Sequence, residues 1–290
     1  MTTTNKKSFK EKIGFMQGRL SPMIENTIQA FPWSYWRDEF KIANKNEFYL
    51  MEWTLDQNQL YENPLMTVDG QNEIKCLMEC FNIKIPSLTG DCFMQKPFYK
   101  TFGKEQELLL VDLKNIIDAS SKIGINNILI PLVDNGRLEN SQQEESLLVG
   151  IKSITSLLKN RYMTISFESD YSCVKLLNFI NHLDPLFFGI TYDTGNSAAL
   201  GFNPEKEIRA YGHRIMNVHI KDRIVGGSTV PLGAGSADIF LALDTLHKLG
   251  YSGNYILQTA RAIDGDDIGV LCKYRDMVEK WLYGVNKYES

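Results

Sequence analysis

Glu168, Asp193, His219 and Gln258 each close a short apolar run, in YMTISFE, FFGITYD, IMNVH and NYILQ. Two carboxylates, an imidazole and an amide together offer three oxygen donors and one nitrogen, a donor set for one divalent cation. Without a thiolate the set favours a borderline-hard ion, Mn²⁺ ahead of Zn²⁺, Co²⁺ and Mg²⁺. A carboxylate such as Glu168 at the end of an apolar strand has to be paired, hydrogen-bonded or metal-bound, because an isolated buried charge is costly. Asp193 has a second assignment, opening an Asx turn or capping the segment TGNSAALG. Of the four histidines only His219 ends a strand; His182, His213 and His247 read as surface or packing residues. Strand alternation places His219 and Lys221 on one side and Ile220 on the other.

Further candidates surround this set. Glu52 ends LMEWT and reads first as a buried structural carboxylate bonded to backbone or arginine, second as a substrate contact. Lys221 and Arg223 follow His219, and Arg261 follows Gln258; they offer positive charge to a phosphate, or pair with Asp222 and Asp264, or face solvent. Asn196, three residues after Asp193, is placed to hydrogen-bond a hydroxyl group. The segment KDRIVGGSTVPLGAGSAD carries four glycines, as a flexible connection or as a loop whose amides approach a ligand closely.

The elements that must position these residues alternate without a compositional break. KIGFMQG, FYLMEWT, IKIPSLTGD and NNILIPLVD give four strands, and the four runs above complete eight. Their Ile, Leu, Val and Phe content, with little polar alternation, predicts a parallel sheet covered on both faces. Between them, Leu109, Leu113, Ile116, Ile117 and Ile123 share one helical face. Leu147, Ile151, Ile154 and Leu158 share another, with Lys152 and Lys159 turned to solvent. Gly124 and Gly250 stand where a helix C-terminus wants positive φ. Eight strand–helix units predict a closed (β/α)8 TIM barrel, in which the C-terminal strand ends converge on one mouth. A doubly wound sheet is disfavoured, since GFMQGRLSP lacks the glycine-rich turn that fold needs.

The 290 residues suit a single domain over 1–290, with 1–12 (MTTTNKKSFKEK) as a polar, flexible leader lacking a signal-peptide apolar core. A net charge of −4 gives no basic surplus for nucleic acid. No apolar run approaches the ~20 residues of a membrane span. Five cysteines without Cys-x-x-Cys spacing read as reduced thiols of a cytoplasmic protein. Nothing in the sequence fixes the oligomeric state, and a homo-oligomer stays open.

Several of these residues carry a family likeness. His219-Ile-Lys221-Asp222, Val230-Pro-Leu-Gly-Ala-Gly235 with Asp238 beyond it, and Leu243 to Gln258 resemble the C-terminal third of L-ribulose-5-phosphate 3-epimerases. Tyr192-Asp193-Thr-Gly-Asn196 is similar to their strand-six turn and Phe167-Glu168 to their strand-five glutamate. More broadly the chain resembles the xylose-isomerase-like barrel superfamily of sugar epimerases, isomerases and inosose dehydratases. The likeness spans nearly the whole chain and is loosest in the first half, through segments such as Pro86-Ser-Leu-Thr-Gly90.

The resemblance implies one divalent ion held by two glutamates, an aspartate and a histidine, the glutamates also moving a proton beside a carbonyl. Glu168, Asp193 and His219 take three of those positions. Gln258 stands in place of the second glutamate, and Ala234 where the epimerases have another. A glutamine oxygen can meet a metal, but the amide cannot accept and return a proton at neutral pH. The implied activity is a metal-dependent isomerase or epimerase on a sugar or sugar phosphate, with Glu168 as base and any second proton supplied by Lys221 or Glu52. An inosose-dehydratase-like lyase and a sugar-binding barrel without catalysis are the alternatives. The endonuclease branch, with its multi-metal cluster, needs more histidines than four.

Overall fold

In the computed structural model, which describes residues 9–24 and 27–287, eight parallel strands hydrogen-bond in sequence order and close on themselves. They are β1 (Ile13–Met16), β2 (Leu50–Thr54), β3 (Lys84–Thr89), β4 (Asn127–Leu132), β5 (Thr164–Ser169), β6 (Phe188–Asp193), β7 (Ile215–Ile220) and β8 (Tyr255–Leu257). β1 pairs with both β2 and β8, so no edge remains. After each strand comes a helix: in turn Trp36–Lys45, Val68–Phe81, Gly103–Ile123, Ser141–Ser153, Cys173–Ile180, Pro204–Tyr211, Ile239–Lys248 and Asp267–Lys287. The architecture is a (β/α)8 TIM barrel, as the eight apolar runs predict. Among the described residues no helix is long and apolar enough to cross a membrane.

The helical stripes fall where their period places them. Leu109, Leu113, Ile116, Ile117 and Ile123 are buried on Gly103–Ile123, which ends at Gly124 with φ +90°. Each such side chain contributes about 1.5–3 kcal/mol by leaving water. Leu147, Ile151, Ile154 and Leu158 are buried too, but on two helices: Ser141–Ser153 stops at Ile154, and Thr155–Arg161 begins anew.

The strands depart from the sequence reading in one respect. Their outward residues are apolar (Leu88, Ile128, Ile165, Phe167, Val218), but several inward ones are small and polar. Inside the barrel the Ser166 hydroxyl meets Asn127 Oδ1 at 2.8 Å and the Thr191 hydroxyl at 2.7 Å. Asn217 donates to Glu52 at 2.7 Å. The alternation is genuine, and the interior is a hydrogen-bonded layer rather than an oily one.

The supposed leader is also partly structured. Lys10–Lys12 form a 3-10 turn, Phe9 packs edge-on against Tyr283, and Lys12 donates to the Ser252 carbonyl at 3.1 Å. Residues 1–8 lie outside the described residues.

β6 and β7 bring Asp193 beside His219, and their register shifts between Ile190 and Thr191. Gly189 precedes that shift. A Cβ there would sit 2.5 Å from the Arg214 carbonyl oxygen, a backbone atom that cannot swing away. Gly189→Ala should therefore destabilise the barrel by roughly 1–3 kcal/mol, read as a lower midpoint in urea unfolding. An unchanged midpoint would show that the two strands are free to separate.

Candidate metal centre

Strand geometry assembles the site. Glu168 is the penultimate residue of β5, Asp193 the last of β6, and His219 the penultimate of β7. Gln258 comes one residue after β8, its backbone N–H bonded to the Ile220 carbonyl at 3.0 Å. Candidate ligand atoms of Glu168, Asp193 and His219 all lie within 4.8 Å of one another. His219 Nδ1 is 3.7 Å from Glu168 Oε2 and 3.9 Å from Asp193 Oδ2. His219 and Lys221 do face one side, since both approach Asp193.

In three of these residues one polar atom is bonded within the protein and the other is buried without a hydrogen bond. His219 Nε2 meets Glu52 Oε1 at 2.7 Å, while Nδ1 has no partner. Asp193 Oδ1 accepts the Asn196 N–H at 2.7 Å, capping Thr194–Ala199, while Oδ2 accepts none. Gln258 Nε2 donates to Gln29 Oε1 at 2.8 Å, while its own Oε1 is unpartnered. Lys221 Nζ comes within 2.9 Å of Asp193 Oδ2, an ion pair outside hydrogen-bond alignment. Buried acceptors seldom go unmet without a reason. Those of Asp193 and His219 lie beside the Glu168 carboxylate and Gln258 lines the same cavity as Glu168, so the residue types fit the donor set of a divalent ion.

The electrostatics follow from burial. Desolvation and the Asp193 charge push the Glu168 carboxyl up, against Lys221 and His219. Burial pulls the His219 imidazole down, but Glu52, Glu168 and Asp193 outweigh it and hold the value at about 8. Burial opposes ionisation of Glu52, yet His219 and the Ser87 and Thr89 hydroxyls keep its carboxyl below the usual range.

A cavity of about 590 Å³ opens at this mouth, lined among others by Gln29, Asp91, Glu168, Asn196, Lys221 and Gln258. Arg223 also lines it, donating to Asn196 Oδ1 at 2.8 Å and to the Gly227 carbonyl. Asn196 in turn donates to Glu168 Oε1. Two residues read as substrate contacts stand elsewhere. Glu52 is wholly enclosed, accepting from Ser87, Thr89 and Asn217 and meeting His219, so neither backbone nor arginine holds it and neither oxygen faces the mouth. Arg261 bonds the Gly18 and Ser21 carbonyls and pairs with Asp267, not Asp264, outside this cavity. It clasps the β1 loop to the segment after β8.

The glycine-rich loop is neither slack nor turned to a ligand through its glycines. The Asp222 carboxylate collects the N–H groups of Gly233 and Gly235 at 2.9 Å and of Ala237 at 3.0 Å. A Cβ at Gly235 would fall 2.1 Å from Asp222 Oδ1, so glycine is required there. Asp222 is thereby committed to the loop, and Asp238 caps the next helix by accepting the Leu241 N–H at 3.0 Å. Sequence reasoning passed over Asp91 and Gln29. Asp91 ends the run IKIPSLTGD just as Glu168 ends its own, so the same rule would have found it; Gln29 lies in a loop and carries no local signal.

Comparison with known proteins agrees with this fold. Residues 40–274 match the family model described as xylose isomerase-like TIM barrel. The L-ribulose-5-phosphate 3-epimerase UlaE of Escherichia coli is 24% identical over 260 residues, 84% of this chain and 89% of the relative. In fold, the chain is similar to a D-tagatose 3-epimerase-like protein, with a TM-score of 0.74 and 16% identity over 96% of this chain and 100% of the other. It is similar also to the IOLI protein solved with a zinc atom, with a TM-score of 0.67 and 14% identity over 95% and 96% of the two chains.

If Glu52 fixes the His219 ring with Nδ1 towards the ligand set, weakening that contact should weaken metal binding. Glu52→Gln should lower Mn²⁺ affinity by roughly 10–100-fold, measured by calorimetric titration of chelator-stripped protein with its melting temperature checked in parallel. Equal affinity in a folded variant would contradict the arrangement.

Proposed function

The chain belongs to the xylose isomerase-like TIM barrel family, and from that premise we propose that it is a metal-dependent isomerase or epimerase acting on a sugar or sugar phosphate beside its carbonyl group. The observation that carries this reading is the meeting of candidate ligand atoms of Glu168, Asp193 and His219 within 4.8 Å, His219 Nδ1 having no hydrogen bond, with Gln258, its Oε1 also buried and without one, lining the same cavity as Glu168. Glu168, Asp193, His219 and Gln258 would hold one divalent ion, Mn²⁺ ahead of Zn²⁺, Co²⁺ and Mg²⁺. Such an ion supplies positive charge where a carbonyl oxygen gathers negative charge as the neighbouring carbon loses its proton.

Glu168 is the base. Asn196 holds its Oε1 and Arg223 holds Asn196, so a chain of two hydrogen bonds fixes the carboxylate plane while Oε2 stays on the ligand side. Burial and Asp193 raise its proton affinity, which suits a group that must take a proton from carbon near neutral pH. Asn196, Lys221 and Arg223 line the cavity and are the proposed contacts to substrate hydroxyl or phosphate oxygens. Glu52 acts through His219, and Arg261 through the loop it clasps. The cavity's volume suits a sugar-sized ligand. The likeness to UlaE supports a ketose or ketose phosphate substrate. The five unpaired cysteines agree with a cytoplasmic location.

Glu168→Gln is nearly isosteric and should keep the fold. It should slow exchange of substrate carbon-bound hydrogen with deuterated water by roughly 10²–10⁴-fold, followed by NMR on L-ribulose 5-phosphate and D-tagatose with Mn²⁺ present. Undiminished exchange would place the base elsewhere.

A further inference from the structure

Reversing a stereocentre beside a carbonyl removes a proton from one face of the carbon and delivers one to the other. Resting on the function proposed above, this calls for a second group that handles protons. Gln258 cannot do so. Lys221 is paired with Asp193, and Glu52 is enclosed by four side chains away from the cavity. Asp134 lines the cavity but is exposed to solvent.

Asp91 differs from all of these. It follows Gly90 just beyond the end of β3, is only 7% exposed, and lines the same cavity as Glu168. Its Oδ2 accepts from Gln29 Nε2 at 2.8 Å, and its Oδ1 accepts no hydrogen bond among the described residues. We propose that Asp91 is the second acid–base group of this cavity, coupled to residue 258 through the Gln29 amide.

Gln29 gives the coupling a direction. Its Oε1 accepts from Gln258 Nε2 at 2.8 Å and from Arg19 Nη2 at 3.5 Å, and its Nε2 donates to Asp91. A guanidinium can only donate, so Arg19 fixes which way this amide faces. The bridge therefore runs from an amide at 258 to a carboxyl at 91. A carboxylate at 258 would confront Gln29 Oε1 with no proton between them. The amide at 258 and the acid at 91 are thus two ends of one arrangement. Burial, then the neighbouring Asp56, push the Asp91 carboxyl up to about 7 against the Gln29 hydrogen bond, so both of its protonation states are populated near neutral pH.

The step balances. Glu168 accepts the proton from carbon; the C–H electron pair forms a C=C bond as the carbonyl π pair moves onto oxygen. When the carbonyl re-forms, the C=C pair takes the proton of the Asp91 acid on the opposite face. Glu168 is left protonated and Asp91 ionised, and exchange with solvent returns both.

The test separates proton removal from inversion. Mn²⁺-loaded, full-length protein is followed by NMR in deuterated water with L-ribulose 5-phosphate and with D-tagatose. Asp91→Asn should keep exchange at the reacting carbon within about tenfold of wild type while inversion falls by roughly 10²–10⁴-fold. Melting temperatures establish folding, and Asp91→Ser replaces Asp91→Asn should the latter unfold. Inversion at the wild-type rate without the Asp91 carboxyl overturns the assignment, as does wild-type exchange without inversion, or loss of exchange and inversion together in a folded variant. Absence of exchange in wild-type protein with both sugars instead overturns the function proposed above, and the role of Asp91 with it.

Discussion

The contact between His219 Nε2 and Glu52 Oε1, 2.7 Å long and with both side chains fully buried, is the interaction on which the mouth of this barrel depends. It spans from β2 to β7. Glu52 also accepts from Ser87 and Thr89 on β3 and from Asn217 on β7, so one carboxylate gathers three strands. An ionisable pair this deep stands only if both partners remain. Removing one side typically costs about 3–5 kcal/mol, because the other is left charged and dry. The contact also decides which imidazole nitrogen is available. With Nε2 directed at Glu52, Nδ1 faces Glu168 and Asp193, and the same atoms serve stability and chemistry.

The other residues of the centre follow the same division. Asp193 caps a helix with one oxygen and presents the other; Gln258 anchors its nitrogen on Gln29 and presents its oxygen. Glu168 has one oxygen on Asn196, which Arg223 steadies in turn. Such tethering limits rotamer freedom before any ligand arrives, which is how a site is preorganised. The surrounding loops are held as firmly: Asp222 organises the glycine-rich segment after β7, and Arg19 and Arg261 tie the β1 loop to the residues following β8.

Much of this was legible in the sequence because strand ends in a (β/α)8 barrel have a defined destination. Polar residues at the ends of apolar runs pointed to Glu168, Asp193 and His219, and the structure brings these three together. Either assignment of Asp193, helix cap or ligand donor, accounts for one oxygen only. What the sequence hid is side-chain partnership across long separations. Glu52 finds His219 over 167 residues and Gln258 finds Gln29 over 229, and no local pattern encodes either. The polar barrel lining was visible as Ser-x-Glu in β5 and Asn-x-His in β7, but the neighbouring isoleucines and phenylalanines dominated the reading. The break at Ile154 was masked by an apolar stripe that keeps helical register across it.

The central claim is that four tethered side chains at the mouth form a centre for one divalent ion. The most direct measurement is a crystal structure of protein reconstituted with Mn²⁺, with anomalous diffraction recorded at the manganese edge. The account predicts one anomalous peak bounded by His219 Nδ1, Asp193 Oδ2, Glu168 and Gln258 Oε1. An ordered mouth with no peak among these residues, or a peak bound elsewhere on the barrel, would contradict it.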